Sequence, residues 1–423
     1  MGLILVLFGL FFCGIPIAFS LGVTSLVGIM QLGAPVNVIV QRMLTGVDSI
    51  PLTAVLLFTL AGALMQRGGI SDRLVTFADA LVGHLPSGMA MVTVVACMFF
   101  AAITGSAIAA TAAIGGIMLP IMTEKGYDKS FSASLMATGG SIGPIIPPSI
   151  PLLVYGVLAS CSVAKLFLGG MIPGILMGVS LMILSYLVGK KRHYVGREKR
   201  ATGREIFAAF REAIWALFTP VIIMGGILSG IFTATESATI ATAYSLIVGF
   251  CVYRELDLEK LKDSLVESAL ITGVVLFVVG FASLFTWVIT MQMIPQELTS
   301  FLGGLIGSKW MMLLVFNIIL LIAGTFIDTT SAITIFAPLF LPLAVAFGID
   351  PIHLGVVMAV NLSIGMCTPP LGVCLFVSSA QAGIPLRDMF KDLWPQLVAL
   401  LIVLFLITYV PETITAIPNM LIK

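Results

Sequence analysis

Long apolar stretches without Asp, Glu, Lys or Arg dominate the pattern of this chain. Four of them cover residues 2–41, 85–123, 130–164 and 351–386, and shorter ones recur through the second half. A helix that crosses a bilayer needs about 20 mostly apolar residues, so each of these stretches is long enough for at least one crossing. The pattern predicts an all-α protein with several membrane crossings. Residues 1–20 lack a charged start and continue into apolar chain, which indicates a membrane segment rather than a cleaved signal peptide.

Composition and charge support this prediction. Of the 423 residues, 59% are hydrophobic and only 10% are charged, with a formal net charge of +1. A soluble domain carries about 25% charged residues, so a water-soluble fold is excluded. Nucleic-acid binding has no support because it needs clustered cationic surface. The six cysteines form no CxxC pair and lie in apolar stretches, which favours buried thiols over disulfides or a zinc site.

One basic segment sets the predicted orientation. Residues 190–204 contain seven of the 21 Lys and Arg residues and a single Glu. Basic loops of membrane proteins lie preferentially in the cytoplasm, so we predict that this loop is cytoplasmic. Counting crossings from the loop places the N-terminus in the cytoplasm and the C-terminus in the periplasm.

Two apolar stretches are expected to enter the membrane and turn back. The stretch 85–123 is too short for two full crossings and has small polar residues, 104–106, at its middle. The stretch 310–349 has a similar polar centre at 325–331. The crossing count makes the first hairpin enter from the cytoplasm and the second from the opposite side, with each tip near mid-membrane.

An internal repeat supports this arrangement independently. A shift of 222 residues places the motif SIGxxxPP at 141–148 on the same motif at 363–370. Two repeats separated by a helix that crosses once have inverted topology, which is the plan of many secondary transporters. The predicted organisation is a first repeat at 1–188 with a hairpin at 85–123 and a broken helix at 130–160, a basic loop and linking helix at 189–230, and a second repeat at 231–423 with a hairpin at 310–349 and a broken helix at 351–380.

The two Pro-Pro pairs, at 147–148 and 369–370, are the expected positions of cation binding. Proline has no N–H, so Pro147 and Pro148 remove the i+4 donors of the carbonyls of Gly143 and Pro144. Pro369 and Pro370 do the same for Gly365 and Met366. Carbonyl and hydroxyl oxygens are ligands for a small hard cation. The hydroxyls nearby are those of Ser141, Ser149, Ser363 and Thr368. The alternative is a simple proline kink in a packed helix.

Two acidic residues occupy the apolar segments. Asp328 is the single charged residue between 310 and 349, where an uncompensated carboxylate is costly, so we expect a bound cation or buried hydroxyls beside it. The alternative role for Asp328 is a helix cap in the turn. Glu236, between Thr235 and Ser237, is interpreted as a helix-start residue.

Enzyme chemistry has little support. The three histidines, at 84, 193 and 353, share no apolar segment with a nucleophile in a triad order. A paired-aspartate intramembrane protease would need a second aspartate at membrane depth. There is no Walker A motif, so ATP-driven pumping by this chain is not supported. We therefore expect no enzymatic activity.

The chain resembles the large membrane subunit of tripartite ATP-independent periplasmic (TRAP) transporters over nearly its whole length. The motifs that carry the resemblance are GIPIAFSLGV (14–23), DSIPLTAVLLFTLAGALM (48–65), TGSAIAATAAIG (104–115), IGPIIPPSIPLLVYG (142–156), AKLFLGGMIPG (164–174), GGILSGIFTATESA (225–238), GTFIDTTSA (324–332) and IGMCTPPLG (364–372). The resemblance implies an elevator-type member of the ion-transporter superfamily in the bacterial inner membrane. It also implies sodium-coupled import of an organic acid, with a small membrane subunit and a periplasmic substrate-binding protein as partners.

The resemblance also implies two or more co-transported sodium ions. The residues that form the family's sites can be assigned in this chain through these motifs. The first sodium site that the resemblance implies consists of Thr104, Ser106, Gly143, Ile146 and Pro148. The second consists of Thr325, Asp328, Gly365, Thr368 and Pro370. The substrate is expected near Ser106, Ser149 and Asp328. One departure is Ala110, which stands where the family often has Asp, so no acidic ligand is expected from the first hairpin.

Sialic acid is the first expected substrate, because segments 164–174 and 225–249 look most like those of sialic-acid members, and C4-dicarboxylates are the second. The main alternative is a proton-coupled organic-anion transporter or exchanger that works without a binding protein. A membrane scaffold without transport activity and an intramembrane hydrolase are further alternatives from other classes.

Overall fold

The computed structural model describes residues 2–197 and 199–422, and within them it contains helices and no strands. The helices are α1 Gly2–Phe12, α2 Ile17–Leu32, α3 Asn37–Val47, α4 Ile50–Arg67, α5 Ile70–Val82, α6 Gly88–Thr104, α7 Ala107–Glu124, α8 Lys129–Gly140, α9 Ile150–Leu158, α10 Val163–Arg192, α11 Gly203–Leu228, α12 Ala234–Ile247 with a π-helical extension Val248–Val252, α13 Leu258–Met291, α14 Ile294–Leu305, α15 Lys309–Phe326, α16 Thr329–Ala346, α17 Pro351–Gly365, α18 Val373–Ala382, α19 Leu386–Tyr409 and α20 Glu412–Leu421.

The predicted all-α membrane protein is confirmed. Across the described ranges, nine helices are long and apolar enough to cross a bilayer, by length and composition: α4, α7, α10, α11, α12 with its extension, α13, α15, α16 and α19. Large apolar side chains also cover the outer surface, for example Ile183, Phe207 and Leu270, each more than half exposed. An outer surface of this kind suits lipid rather than water.

The repeat in the sequence appears again in the helix boundaries. Helices α7 and α16 are offset by 222 residues at both ends, and α6, α8 and α9 have counterparts in α15, α17 and α18 within a few residues of the same offset. Helix α7 packs against α8, and α16 packs against α17. The same supersecondary unit therefore occurs twice.

Each unit is a helical hairpin followed by an interrupted helix. In the first unit, α6 and α7 meet at Gly105 and Ser106, and the chain between α8 and α9 is non-helical over residues 141–149. In the second unit, α15 and α16 meet at Ile327 and Asp328, and the interruption covers residues 366–372. The peptide bonds Pro147–Pro148 and Pro369–Pro370 are both cis.

Local capping explains where two long helices begin. Thr233 accepts a hydrogen bond from the backbone N–H of Glu236, and the Glu236 carboxylate accepts one from the backbone N–H of Thr233. Thr202 and Glu205 form the same capping box at the start of α11. These reciprocal bonds satisfy N–H groups that would otherwise be unpaired in the first turn. The interpretation of Glu236 as a helix-start residue is confirmed.

The prediction of buried thiols is only partly correct. Cys97, Cys367 and Cys374 are buried, but Cys13 and Cys251 are exposed and Cys161 is half-buried. Cys13 follows the end of α1, and Cys251 lies in the π-helical turn that ends α12. An apolar run in a membrane protein also covers its outer surface, so an apolar neighbourhood in sequence does not imply burial.

Candidate ion and substrate site

The tip of the first hairpin lies directly on the first interruption. Gly105 has a left-handed backbone, φ 61°, and a methyl group on its Cα would clash with the carbonyl oxygen of Pro148. A methyl group on Gly143 would lie 2.5 Å from the carbonyl oxygen of Ser106. Glycine is required at both points because the backbones approach too closely for a Cβ atom. The predicted ligands Ser106, Gly143 and Pro148 are therefore brought together.

The remaining residues predicted for the first ion site lie around this contact. Thr104 is buried and donates a hydrogen bond from Oγ1 to the carbonyl of Phe100 at 3.2 Å. The Oγ of Ser106 caps α7 by accepting a hydrogen bond from the N–H of Ala109 at 3.3 Å. Ile146 lies within the interruption, with its side chain against Gly174 of α10. Its contribution to an ion site would be its backbone carbonyl.

The second tip packs on the second interruption in a related way. A methyl group on Gly365 would lie 2.5 Å from the Cα of Gly324. The N–H of Gly372 donates to the carbonyl of Thr325 at 3.0 Å, which joins α15 to the chain before α18. Thr368 is half-buried, and Pro370 is exposed. Thr325, Gly365 and Thr368 thus lie within one packed unit beside Asp328.

The prediction that four carbonyls next to the double prolines are left without a hydrogen-bond donor is wrong for three of them. The prolines do remove the i+4 donors, but the chain turns and supplies others to three of the four oxygens. The carbonyl of Pro144 accepts from the Ser149 hydroxyl, that of Gly365 from the N–H of Thr368, and that of Met366 from the N–H of Cys374. Only the carbonyl of Gly143 accepts no hydrogen bond from the described residues. A carbonyl oxygen has two lone pairs, so the bonded carbonyls keep one for a cation.

Three hydroxyls near the interruptions donate their protons to backbone carbonyls three or four residues earlier in the chain. Ser141 donates to the carbonyl of Thr138 at 2.7 Å, Thr325 to that of Ile322 at 2.8 Å, and Thr368 to that of Ile364 at 2.8 Å. A hydroxyl that donates its proton to a carbonyl presents its lone pairs on the other side. These oxygens can therefore act as neutral ligands for a cation.

Asp328 caps α16. Its Oδ1 accepts hydrogen bonds from the N–H groups of Thr330 at 3.0 Å and Ser331 at 3.1 Å. The side chain is half-buried, and its Oδ2 has no hydrogen-bond partner among the described residues. One oxygen of this carboxylate is thus used by the helix, and the other is available to a ligand.

A cavity of about 570 Å³ lies between the two hairpin tips. Its polar lining residues are Gln66, Ser106, Glu267, Asp328, Thr329, Thr330 and Ser331. The predicted substrate ligands Ser106 and Asp328 therefore face the same space. Ser149 does not line this cavity: it is fully buried, donates to the carbonyl of Pro144 and accepts from the N–H of Leu152.

The helix ends at this cavity favour negative charge. Ser106 and Asp328 cap α7 and α16, so the positive ends of two helix dipoles point at the space between the tips. A larger cavity of about 700 Å³, between α1 and the second hairpin, is lined by apolar side chains such as Phe8 and Phe336. The smaller cavity differs from it in having polar side chains and two helix N-termini in its wall.

Sequence reasoning missed the polar residues on the other side of this cavity. Gln66 ends the apolar run of α4, and Glu267 belongs to the charged first turns of α13. Glu267 accepts a hydrogen bond from Arg67 at 2.6 Å. The only signal for them in the sequence was their place at the end of an apolar stretch, which many surface residues share.

Comparison with known proteins gives consistent matches. Residues 4–413 match the family model "Tripartite ATP-independent periplasmic transporter, DctM component". The chain is 43% identical, over 88% of its length and 86% of the relative's, to the C4-dicarboxylate TRAP transporter large permease protein of Pseudomonas aeruginosa. It is 38% identical to the sialic acid TRAP transporter large permease protein of Vibrio cholerae, over 97% and 96% of the two chains.

A further relative is a longer protein. The chain is 43% identical, over 96% of its length, to the isethionate TRAP transporter permease protein DctMQ of Oleidesulfovibrio alaskensis, and it spans 65% of that protein. Among solved structures, the YdaH transporter of Alcanivorax borkumensis gives a TM-score of 0.64 at 15% identity, covering 88% of this chain and 86% of that one. At this identity the likeness concerns the fold alone.

Proposed function

The chain belongs to the DctM-component family of tripartite ATP-independent periplasmic transporters, and we propose that within it the chain is a sodium-coupled importer of an organic acid. Members of this family are multi-pass transporter permeases and not enzymes. The resemblance stated from the sequence is thereby confirmed. Sodium coupling, the elevator movement and the identity of the acid are parts of the proposal.

One observation carries the proposal. Ser106 and Asp328 begin the second helices of two repeat-related hairpins, and both line the same cavity. Each hairpin is also packed on the interrupted helix that follows it, through Gly143 against Ser106 in the first unit and Gly365 against Gly324 in the second. This arrangement supports the proposal that two sets of oxygen ligands bind ions next to one substrate site.

Sodium is the proposed coupling ion at both sets of oxygen ligands. The first set, from Thr104 to Pro148, offers hydroxyl and carbonyl oxygens without a carboxylate, while the second adds the free oxygen of Asp328. Hard oxygen ligands of this kind suit a small cation. A cation bound beneath each tip would also neutralise Asp328, so the cavity would accept an anion more readily after sodium has bound.

The proposed movement is a sliding of both units against the remaining helices. Backbone contacts at Gly143 and Gly365 join each tip to its interrupted helix, which makes each unit a compact body. The opposite wall of the cavity comes from α4 and α13, which belong to neither unit. A substrate held between these two parts would change its exposure when one slides along the other.

The substrate class is an organic acid, and we keep sialic acid as the first candidate. The relatives named for C4-dicarboxylates and isethionate are 43% identical to this chain, and the relative named for sialic acid is 38% identical. These identities do not rank the three acids. A small membrane subunit and a periplasmic substrate-binding protein are the proposed partners. The bacterial inner membrane is the proposed location of the chain.

The test is uptake into proteoliposomes that contain the chain with its small subunit, with the binding protein added outside. Radiolabelled N-acetylneuraminate, succinate and isethionate are compared with and without an inward sodium gradient. We expect one acid to accumulate only with the gradient and only with the binding protein. Sodium-independent accumulation driven by a proton gradient would replace this proposal with the proton-coupled alternative.

A further inference from the structure

An ion pair lies beside the cavity on the wall opposite the hairpin tips. The Nη1 atom of Arg67, in the last turn of α4, donates to Oε2 of Glu267 at 2.6 Å and to Oγ of Ser264 at 3.3 Å. Glu267 and the neighbouring Gln66 line the cavity. None of these residues belongs to the sites that the sequence predicts.

Helix α4 is held close to the first hairpin tip. A methyl group on Gly62 would lie 3.2 Å from the Cα of Thr104, so the two backbones nearly touch at this point. Gln66 follows Gly62 by four residues and therefore lies on the same face of α4, one turn nearer the helix end. This packing places Gln66, in the last turn of α4, at the cavity beside Ser106, and Arg67 follows it in the chain.

Two carboxylates and one guanidinium are the charged side chains at or beside the cavity within the described residues. Asp328 and Glu267 place two carboxylates on its walls, and Arg67 is the cationic side chain in contact with one of them. Only Nη1 of the guanidinium makes hydrogen bonds within the described residues, which leaves the N–H groups of Nε and Nη2 available. The Arg67 side chain is 30% exposed and is bonded to Glu267, which lines the cavity, so the guanidinium lies directly behind this part of the cavity wall.

We propose that Arg67 binds the acidic head group of the transported substrate, and that Glu267 orients the guanidinium and competes with the substrate for it. This inference rests on the proposed function, import of an organic acid. The planar guanidinium offers parallel N–H donors that fit a carboxylate, and it also binds other oxyanions such as a sulfonate. The wall opposite the hairpin tips thus adds a cationic side chain to the positive helix ends that the tips direct at the cavity.

Competition and simple structural support make opposite predictions for Glu267. If Glu267 competes with the substrate, Glu267→Gln frees Arg67 and lowers the KM for uptake, whereas Arg67→Gln raises it. If the pair only holds α4 to α13, both variants remove the same support and change transport in the same direction. The sign of the Glu267→Gln effect therefore separates the two roles.

A second ion pair provides a matched control. Arg73 and Glu255 are also 2.6 Å apart, and their side chains are 23% and 41% exposed, compared with 30% and 43% for Arg67 and Glu267. Neither Arg73 nor Glu255 lines the cavity between the tips, whereas Glu267 of the first pair does. Arg73→Gln removes an ion pair of similar length and exposure, together with the contact of Arg73 over the Tyr253 ring, without touching the proposed site.

The experiment measures initial uptake rates at saturating sodium, using the acid that wild-type proteoliposomes transport best. We expect the KM to rise at least about tenfold in Arg67→Gln, as for loss of a charge-assisted pair. We expect the KM to fall about twofold or more in Glu267→Gln and to stay at the wild-type value in Arg73→Gln. Arg67→Lys, which keeps the charge but not the paired donors, should lie between wild type and Arg67→Gln.

The outcomes separate this inference from the proposed function. A wild-type protein that shows no sodium-dependent uptake of any tested acid removes the proposed function itself. With wild-type uptake intact, an unchanged KM in Arg67→Gln, or KM changes in the same direction for Arg67→Gln and Glu267→Gln, overturns the role of Arg67 alone. If Arg67→Gln does not yield folded protein, Glu267→Gln and Arg67→Lys decide the question by the same criteria. At saturating substrate, the sodium concentration for half-maximal uptake should not change in any variant.

Discussion

The Cα of Gly143 lies against the backbone of Ser106, so closely that a methyl group on Gly143 would be 2.5 Å from the Ser106 carbonyl oxygen. This contact joins the first hairpin tip to the first interrupted helix. It also fixes the position of two residues for which we propose roles in sodium binding. The geometry of the first site therefore depends on a residue that has no side chain.

Gly143→Ala should displace the tip of the first hairpin and weaken sodium-dependent uptake. The added methyl group meets backbone atoms, which cannot rotate away, so either the tip or the interruption must shift. Because a displacement of about 1 Å can reduce activity by about two orders of magnitude, we expect uptake to fall at least about tenfold. The measurement is initial uptake as a function of sodium concentration.

Gly116→Ala is the control for this substitution. Gly116 lies in α7 of the same hairpin, and a methyl group there would meet only Nε2 of Gln381 at 3.9 Å. Alanine is also the better helix former at such a position. Gly116→Ala should keep wild-type uptake, and equal losses in the two variants would contradict a specific role for the Gly143 contact.

Asp328→Asn should separate the capping role of this residue from its proposed role in ion binding. Asparagine caps helices about as well as aspartate, so α16 should keep its start and the protein its melting temperature. The charge is lost, so the sodium concentration for half-maximal uptake should rise at least about tenfold. Purified variants are compared by thermal unfolding and by uptake.

Asp350→Asn is the matched control for Asp328. Asp350 caps α17 with the same geometry, since its Oδ1 accepts from the N–H groups of Ile352 at 2.7 Å and His353 at 3.1 Å. It is exposed and outside the cavity. Sodium coupling should be unchanged in this variant. Intact sodium coupling in Asp328→Asn would contradict the second sodium site and leave Asp328 as a helix cap.

Much of the fold could be predicted because the relevant signals are local or periodic. Apolar run lengths predicted the helices, and the doubled motif SIGxxxPP located both interruptions. Proline chemistry also predicted which carbonyls lose their helical donors. It could not predict that the Ser149 hydroxyl and the N–H of Cys374 would replace two of those donors, because that depends on the path of the chain after the break.

The opposite wall of the cavity was not predictable for a different reason. Arg67 and Glu267 are 200 residues apart in sequence and become neighbours only when α4 packs against α13. Each is an ordinary charged residue at the end of an apolar segment, so neither has a distinguishing local pattern. The prediction for Ser149 was made from its motif, and its complete burial could not be judged without the packing of α9.

Glu236→Gln should leave transport unchanged. The Glu236 carboxylate is exposed and is bonded to the backbone N–H and hydroxyl of Thr233 at the start of α12. Glutamine can make the same capping-box bond to the backbone, so helix stability should change by less than about 1 kcal/mol. Uptake assays should give the wild-type sodium dependence. A marked loss of sodium coupling would show that Glu236 takes part in transport.

Arg192→Leu should destabilise the protein because Arg192 joins the two repeats. Its guanidinium pairs with Asp128 at 2.8 Å and with Asp392 of α19, 200 residues away. The Asp392 side chain is only 9% exposed, whereas Arg192 is 28% exposed. Tyr194 adds a hydrogen bond to Asp128 at 2.7 Å, and burial raises the pKa of Tyr194, which keeps its hydroxyl protonated as a donor.

Loss of Arg192 leaves the Asp392 carboxylate, which is nearly buried, without a partner. This should lower the free energy of unfolding by about 3 kcal/mol. Arg192→Leu combined with Asp392→Leu should recover most of this loss, because the unpaired charge is then removed as well. Arg387→Leu is the control: its pair with Asp388 is 3.9 Å long and its side chain is 90% exposed, so the change should stay below about 0.5 kcal/mol. Thermal unfolding in detergent measures all three variants. Equal stability of Arg192→Leu and Arg387→Leu would show that the Arg192 cluster does not hold the repeats together.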